Sequence, residues 1–168
     1  LTLTSNMTSL TSTSSNNNQI IYVKPRTSST TLTLYTPGIT ASTVALSFAA
    51  PGTVKFLSNF KEASTVAAIS THSMGTIDLN GYTFTCFRYT TGVGTKNLTF
   101  NGGTLSIFSA TTTSFNNANP TGFTTTAGTG TGKISMTAAT AKTFVGGGST
   151  FNCTLSNDGA GALTITGS

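Results

Sequence analysis

Apolar and polar residues alternate in short runs along most of this chain, and turn-forming residues separate the runs. Ile20 to Val23, Thr31 to Tyr35, Thr43 to Phe48 and Thr53 to Phe60 each read as a strand. Lys24-Pro25-Arg26, Thr36-Pro37-Gly38 and Ala50-Pro51-Gly52 punctuate them as turns. Alternation with a period of two sends every second side chain to the same face, so each run is expected to bury one row and expose the other. Lys61 to Ile69 is the only stretch whose pattern a short helix would accept. Residues 1–19 are small and polar apart from Leu1-Thr2-Leu3-Thr4, and read as an arm or linker.

From residue 75 onward the alternation repeats itself. Residues 78–87 align with residues 99–108 at an offset of 21: Asn80-Gly81 meets Asn101-Gly102, Thr83 meets Thr104, and Phe87 meets Phe108. Leu79, Phe84 and Cys86 meet Phe100, Leu105 and Ile107, apolar on apolar. The same offset carries Ile134 to Leu155 and Phe144 to Ile165, with a longer excursion over residues 109–131 between. Such a period, with two short strands per repeat and an Asn-Gly corner, predicts coils of a β-solenoid, each roofing the one before it. Asn-Gly between alternating strands is also a hairpin signal, so stacked antiparallel hairpins remain the alternative. The expected organisation is an arm (1–19), an N-terminal β attachment module (20–74) and an elongated repetitive β segment (75–168).

Composition sharpens the fold class to all-β. Threonine and serine supply about a third of the 168 positions, whereas Asp, Glu, Lys and Arg together make only 7%, against roughly 25% in ordinary soluble domains. Threonine suits a pleated sheet, and the usual helix-surface residues are nearly missing. No run of about 18 apolar residues offers a membrane-spanning helix. The net charge of +5 comes from eight scattered Lys and Arg. It gives mild attraction to anionic surfaces, not the dense basic stripe that nucleic-acid binding uses.

Little chemistry can be built from three carboxylates (Glu62, Asp78, Asp158), one histidine (His72) and two cysteines (Cys86, Cys153). His72 and Asp78 lie among serines without a nucleophile elbow, and Glu62 with Asp78 is a conceivable glycosidase pair. His72 with the two cysteines has poor zinc spacing. Both cysteines keep the phase of apolar neighbours and read as buried free thiols, a disulfide between them being the alternative. Gly128 to Lys133 imitates a phosphate loop, but Ala127 and Ile134 break the pattern. Gly146-Gly147-Gly148 reads as a tight corner. The sequons at Asn6, Asn97 and Asn152 are expected to be unmodified, and Tyr35, Tyr82 and Tyr89 sit at strand ends as candidate exposed contacts. No catalytic, cofactor-binding or metal-binding residue is assigned.

The succession Gly128-Thr129-Gly130-Thr131-Gly132-Lys133-Ile134-Ser135-Met136-Thr137, Ala141-Lys142-Thr143-Phe144-Val145-Gly146-Gly147-Gly148 and Gly159-Ala160-Gly161-Ala162-Leu163-Thr164-Ile165-Thr166-Gly167-Ser168 resembles the Thr/Gly-rich repetitive structural proteins of tailed phages from aquatic habitats. The resemblance covers roughly residues 75–168. It implies a non-enzymatic virion component, a tail fibre or head appendage, with homotrimeric assembly, other virion proteins as partners and a host surface glycan or receptor as target. Membrane insertion and nucleic-acid binding are not implied. The other expectation is an extracellular filament or adhesin subunit at a cell surface, with Leu1 to Leu10 completing a neighbour's sheet. The start at Leu1 and the stop just after Leu163 to Thr166 suggest a segment of something longer.

Overall fold

A computed structural model describes residues 19–23, 25, 27–29, 31–35, 40–41, 44–62, 69–109 and 113–167. The strands are β1 (Gln19–Val23), β2 (Thr31–Leu34), β3 (Thr40–Ala41), β4 (Val44–Phe56), β5 (Phe60–Glu62), β6 (Ile69–Asp78), β7 (Thr83–Cys86) and β8 (Arg88–Thr91). Then follow β9 (Lys96–Thr99), β10 (Thr104–Ile107), β11 (Phe115–Asn116), β12 (Phe123–Thr126), β13 (Lys133–Met136), β14 (Lys142–Val145), β15 (Thr154–Asn157) and β16 (Leu163–Thr166). No helix occurs among the described residues. Lys61 and Glu62, expected in a short helix, belong to β5 and Ile69 opens β6; residues 63–68 lie outside the described set.

The chain is a β-solenoid of about five turns. A full turn visits three sides in order. The first side carries β1, β4, β6, β8, β11, β14 and β16; the second β2, β4, β6, β9 and β12; the third β3, β5, β7, β10, β13 and β15. Each strand pairs with its counterpart one turn away, and every such pairing among the described residues is parallel. Hairpins would have paired antiparallel, so the solenoid is the arrangement adopted. The 21-residue offset reappears as register: Thr83 lies against Thr104, Ile134 against Leu155 and Phe144 against Ile165. The expected boundary at residue 75 falls inside β6, which pairs with β4 on one edge and with β8 and β9 on the other.

Ala50-Pro51-Gly52, read as a turn, lies within β4 instead. Here β4 bends from the first side to the second, and its pairing with β6 slips in register between Phe48 and Thr53. Proline brings no N–H to a ladder, and a bulge is where a parallel sheet tolerates that loss. Gly75 faces the bulge with φ of 84°, and a Cβ there would collide with the Ala50 and Gly52 carbonyl oxygens.

Inward residues stack in columns. Phe60, Phe84, Leu105, Ile134 and Leu155 form one on the third side, and Val54, Ile77, Leu98 and Thr125 another on the second. On the first side Tyr89, Phe115 and Phe144 stack as rings, at centroid spacings of 5.5 and 4.4 Å. Burying each such side chain contributes about 1.5–3 kcal/mol, so the narrow core is continuous although each turn supplies only a few residues. The Asn-Gly corners keep turns in step: Asn80 and Asn101 both adopt positive φ, 50° and 48°. Asn80 Nδ2 donates to the Phe56 carbonyl one turn back, and the Thr129 amide donates to Asn101 Oδ1 one turn on.

Candidate functional site

The outward rows form straight files because the register is preserved from turn to turn. On the second side Thr31, Thr53, Thr76, Asn97 and Thr124 follow one another, with Thr33, Lys55, Asp78, Thr99 and Thr126 beside them. On the third side Thr85, Ser106, Ser135 and Ser156 run beside Thr83, Thr104, Lys133 and Thr154. Asn97 ties its file together: its Oδ1 accepts from the Thr124 and Thr126 hydroxyls at 3.1 Å each, and its Nδ2 donates to Thr99. Threonine is stiff at χ1, so these files are ordered before any partner arrives.

Two of the lysines in these files enter in opposite pairs, while Lys61, in register with Thr85, stands exposed with no carboxylate beside it among the described residues. Lys55 lies 3.9 Å from Asp78, and Lys133 2.7 Å from Asp158. Asp158 also accepts from the Ser135 and Ser156 hydroxyls, and these donors, Lys133 foremost, hold its carboxyl well below the usual carboxylate range. Asp78 Oδ1 accepts from the Asn80 amide and from Asn101 Nδ2.

The residues expected as candidates for chemistry are kept apart. His72 is fully buried: its Nε2–H donates to the Gly75 carbonyl at 2.9 Å, and its Nδ1 accepts from the Tyr89 hydroxyl at 2.7 Å. Burial pushes the imidazole down to about 4. Asp78 stands on the outer face of the same strand, so the two do not form a dyad. Glu62 is also fully buried, its oxygens engaged by the Ser70 hydroxyl and, at 2.9 Å, the Phe87 amide, and burial raises its carboxyl to about 7. It faces the core while Asp78 faces outward, so no carboxylate pair assembles. Cys86 and Cys153 are free thiols. Cys86 is fully buried, and burial, with Glu62 nearby, pushes its thiol up; Cys153 is half-buried and raised to about 11. Among the described residues no group of three or more His, Cys, Asp or Glu side chains is placed to hold a metal ion.

Gly128 to Lys133 forms the corner between β12 and β13, with Gly128 and Gly130 at positive φ. The Thr129 amide there is spent on Asn101. Gly147 sits at a tight corner, where a Cβ would come within 2.7 Å of the Asn117 carbonyl. Asn97 and Asn152 are both engaged, the latter donating to the Thr125 carbonyl at 2.7 Å, and Asn6 lies outside the described residues. Tyr35 is exposed and Tyr82 half-buried, but Tyr89, expected at the surface, is wholly buried between His72 and Phe115.

The alternation holds a signal that the weighing of charges hid. Lys96 shares the phase of Leu98, and Lys142 that of Phe144; both are 1% exposed. Lys96 Nζ donates to the Gly94 and Thr121 carbonyls, and Lys142 Nζ to those of Ala138 and Gly161. Each ammonium thus bridges the corners of two successive turns. No family model, curated relative or solved structure matches this chain.

Proposed function

We propose that the chain is a non-enzymatic structural segment of a phage virion appendage, a tail or head fibre that serves assembly and host attachment. One observation carries this reading: a parallel solenoid whose outer sides are in-register files of hydroxyls, with Lys55 and Lys133 each set against an aspartate. Such sides associate with one another without desolvating isolated charges. The partners in this reading are two further copies of the chain, neighbouring virion proteins and a glycan or receptor on the host surface. The resemblance of residues 128–168 to Thr/Gly-rich phage fibre proteins supports the virion location. Two measurements test it. Light scattering at micromolar concentration is expected to give the mass of three chains, and a monomer mass would overturn the trimer. Antibodies against the chain are expected to decorate particle appendages in electron microscopy; labelling of cell-surface filaments instead would overturn the virion assignment.

A further inference from the structure

Three pairs in the chain place glycine after Asn or Asp: Asn80-Gly81, Asn101-Gly102 and Asp158-Gly159, all among the described residues. At such pairs a polypeptide can modify itself, because glycine lets its own amide nitrogen approach the preceding side chain. For asparagine the glycine nitrogen gives its proton to solvent base and bonds to Cγ, the bond from Cγ to Nδ2 breaks, and ammonia leaves. Water then opens the five-membered imide at either carbonyl, giving aspartate or isoaspartate. The reaction needs a glycine N–H not spent in a hydrogen bond, a side chain able to swing over its own backbone, and a ψ that brings the nitrogen to the Cβ side.

The three sites meet these needs unequally. The Gly159 amide donates to the Met136 carbonyl at 3.1 Å. Asp158 is held as a carboxylate, a poor electrophile, by Lys133 and the Ser135 and Ser156 hydroxyls. Gly81 and Gly102, in contrast, donate to no backbone carbonyl among the described residues. Both asparagine pairs form type I′ turns, closed by the Tyr82 amide on the Leu79 carbonyl and the Gly103 amide on the Phe100 carbonyl, at 2.8 Å each. Their φ values are 50° and 83° in the first turn and 48° and 80° in the second. In such a turn ψ of the first central residue is about +30°, which sets the glycine nitrogen opposite Cβ. The imide closes only after the turn opens.

What that opening breaks differs between the two. Asn101 is tied to the turn on each side of it. Its amide donates to the Ala127 carbonyl at 2.9 Å, its Nδ2 donates to Asp78 Oδ1 at 2.8 Å, and its Oδ1 accepts from the Thr129 amide at 3.0 Å. The same side chain fills the space over Gly128, where a Cβ would come within 1.9 Å of Oδ1. Asn80 is tied on one side, through Nδ2 to the Phe56 carbonyl at 3.0 Å, while its amide donates to Asp78 Oδ1 within its own corner. We propose that Asn80 is the site at which the folded protein deamidates, and that Asn101 and Asp158 are protected by their place in the stack. Conversion at residue 80 sets a carboxylate against the Phe56 carbonyl in place of a donor, and isoaspartate adds a carbon to the main chain of the turn. Ageing therefore starts at the corner between β6 and β7.

Peptide mapping by mass spectrometry, with isoaspartate separated by chromatography, tests this on the intact chain kept for weeks at pH 8. Each folded-state rate is divided by the rate of the same site in urea, which removes the influence of the next residue, Tyr82 or Gly103. Asn101 has one more side-chain hydrogen bond to give up than Asn80, so its suppression is expected to be at least about fivefold deeper. Isoaspartate at residue 158 is expected to accumulate only in urea. Asp78→Ala removes the partner of Asn101 Nδ2 and is expected to raise the Asn101 rate about fivefold. Equal suppression at Asn80 and Asn101, deeper suppression at Asn80, or an Asn101 rate unchanged in Asp78→Ala overturns the proposal. Should that variant fail to fold, the wild-type ratio alone decides.

Discussion

Phe115 is where the first side of the solenoid is thinnest. Strand β11 has only two residues, and it alone links β8 to β14 on that side. The Phe115 ring is fully buried, nearly parallel to Tyr89 at 12° and to Phe144 at 14°, with the Phe151 ring edge-on at 5.7 Å. Truncation to alanine removes the ring from water-free packing and leaves a cavity between two stacked neighbours, a change that costs about 3–5 kcal/mol. Three ring contacts place Phe115→Ala near the top of that range, since each aromatic pair contributes roughly 0.5–1.5 kcal/mol beyond its area. With a urea slope of about 2 kcal/mol/M, the midpoint is expected to fall by roughly 2 M. Because turns couple only to their neighbours, exchange protection should drop first in β11 and β14 while β6 and β7 hold. Phe115→Leu, which keeps most of the volume, should cost less than half as much. A midpoint shift below about 0.5 M for the alanine variant would show that β9–β12 and β10–β13 carry the stack unaided, refuting the argument.

Lys142→Met removes both bonds to the Ala138 and Gly161 carbonyls while keeping the aliphatic stem, and is expected to cost about 2–3 kcal/mol in chemical denaturation; a neutral result would mean that desolvating the ammonium already cancels its bonds. Asn101→Ala loses the bonds to Asp78 and Thr129 and places a Cβ residue without local support at positive φ. It should destabilise by about 2 kcal/mol, with Asn101→Gly recovering part of that through backbone freedom alone. Cys153, raised to about 11, is expected to alkylate slowly at pH 8, its rate climbing about tenfold per pH unit, whereas Cys86 reacts only on unfolding. Rapid labelling of Cys86 in native protein would contradict its burial.

What could be read from the chain, and what could not, divides along physical lines. In-register stacking leaves a fixed offset, so Thr83 against Thr104 and Phe144 against Ile165 were visible as spacing alone. The direction of pairing was not visible, because alternation looks the same in parallel coils and antiparallel hairpins; only the contacts across turns settle it. Pro51 misled because a local turn signal was overridden by packing of the β4 bulge against Gly75, a contact 24 residues away in sequence. Tyr89 misled for the opposite reason. Its hydroxyl suggests a surface, but its phase in β8 is that of Thr91, inward, and His72 supplies the partner its hydroxyl needs. Glu62, Lys96 and Lys142 likewise sat in plain phase with Phe60, Leu98 and Phe144. General expectation places charged residues outside, and here corner carbonyls and a serine supply the partners that let them stay within.

The same accounting explains the outer sides. A narrow solenoid exposes a large share of its residues, so its surface has to be made compatible with close approach if neighbours are to pack along it. Scattered charges would oppose that, since each loses hydration on contact and regains little unless a partner is aligned with it. On the second side the problem is resolved before any contact, since Lys55 faces Asp78 one turn away and the other positions are hydroxyls and an amide. On the third side Lys133 faces Asp158, while Lys61 stands exposed in register with Thr85. Association through the second side should therefore respond weakly to salt, because screening acts on unpaired charge and the two ions in its described files face each other. Association through the third side, in contrast, should weaken with salt to the extent that Lys61 takes part.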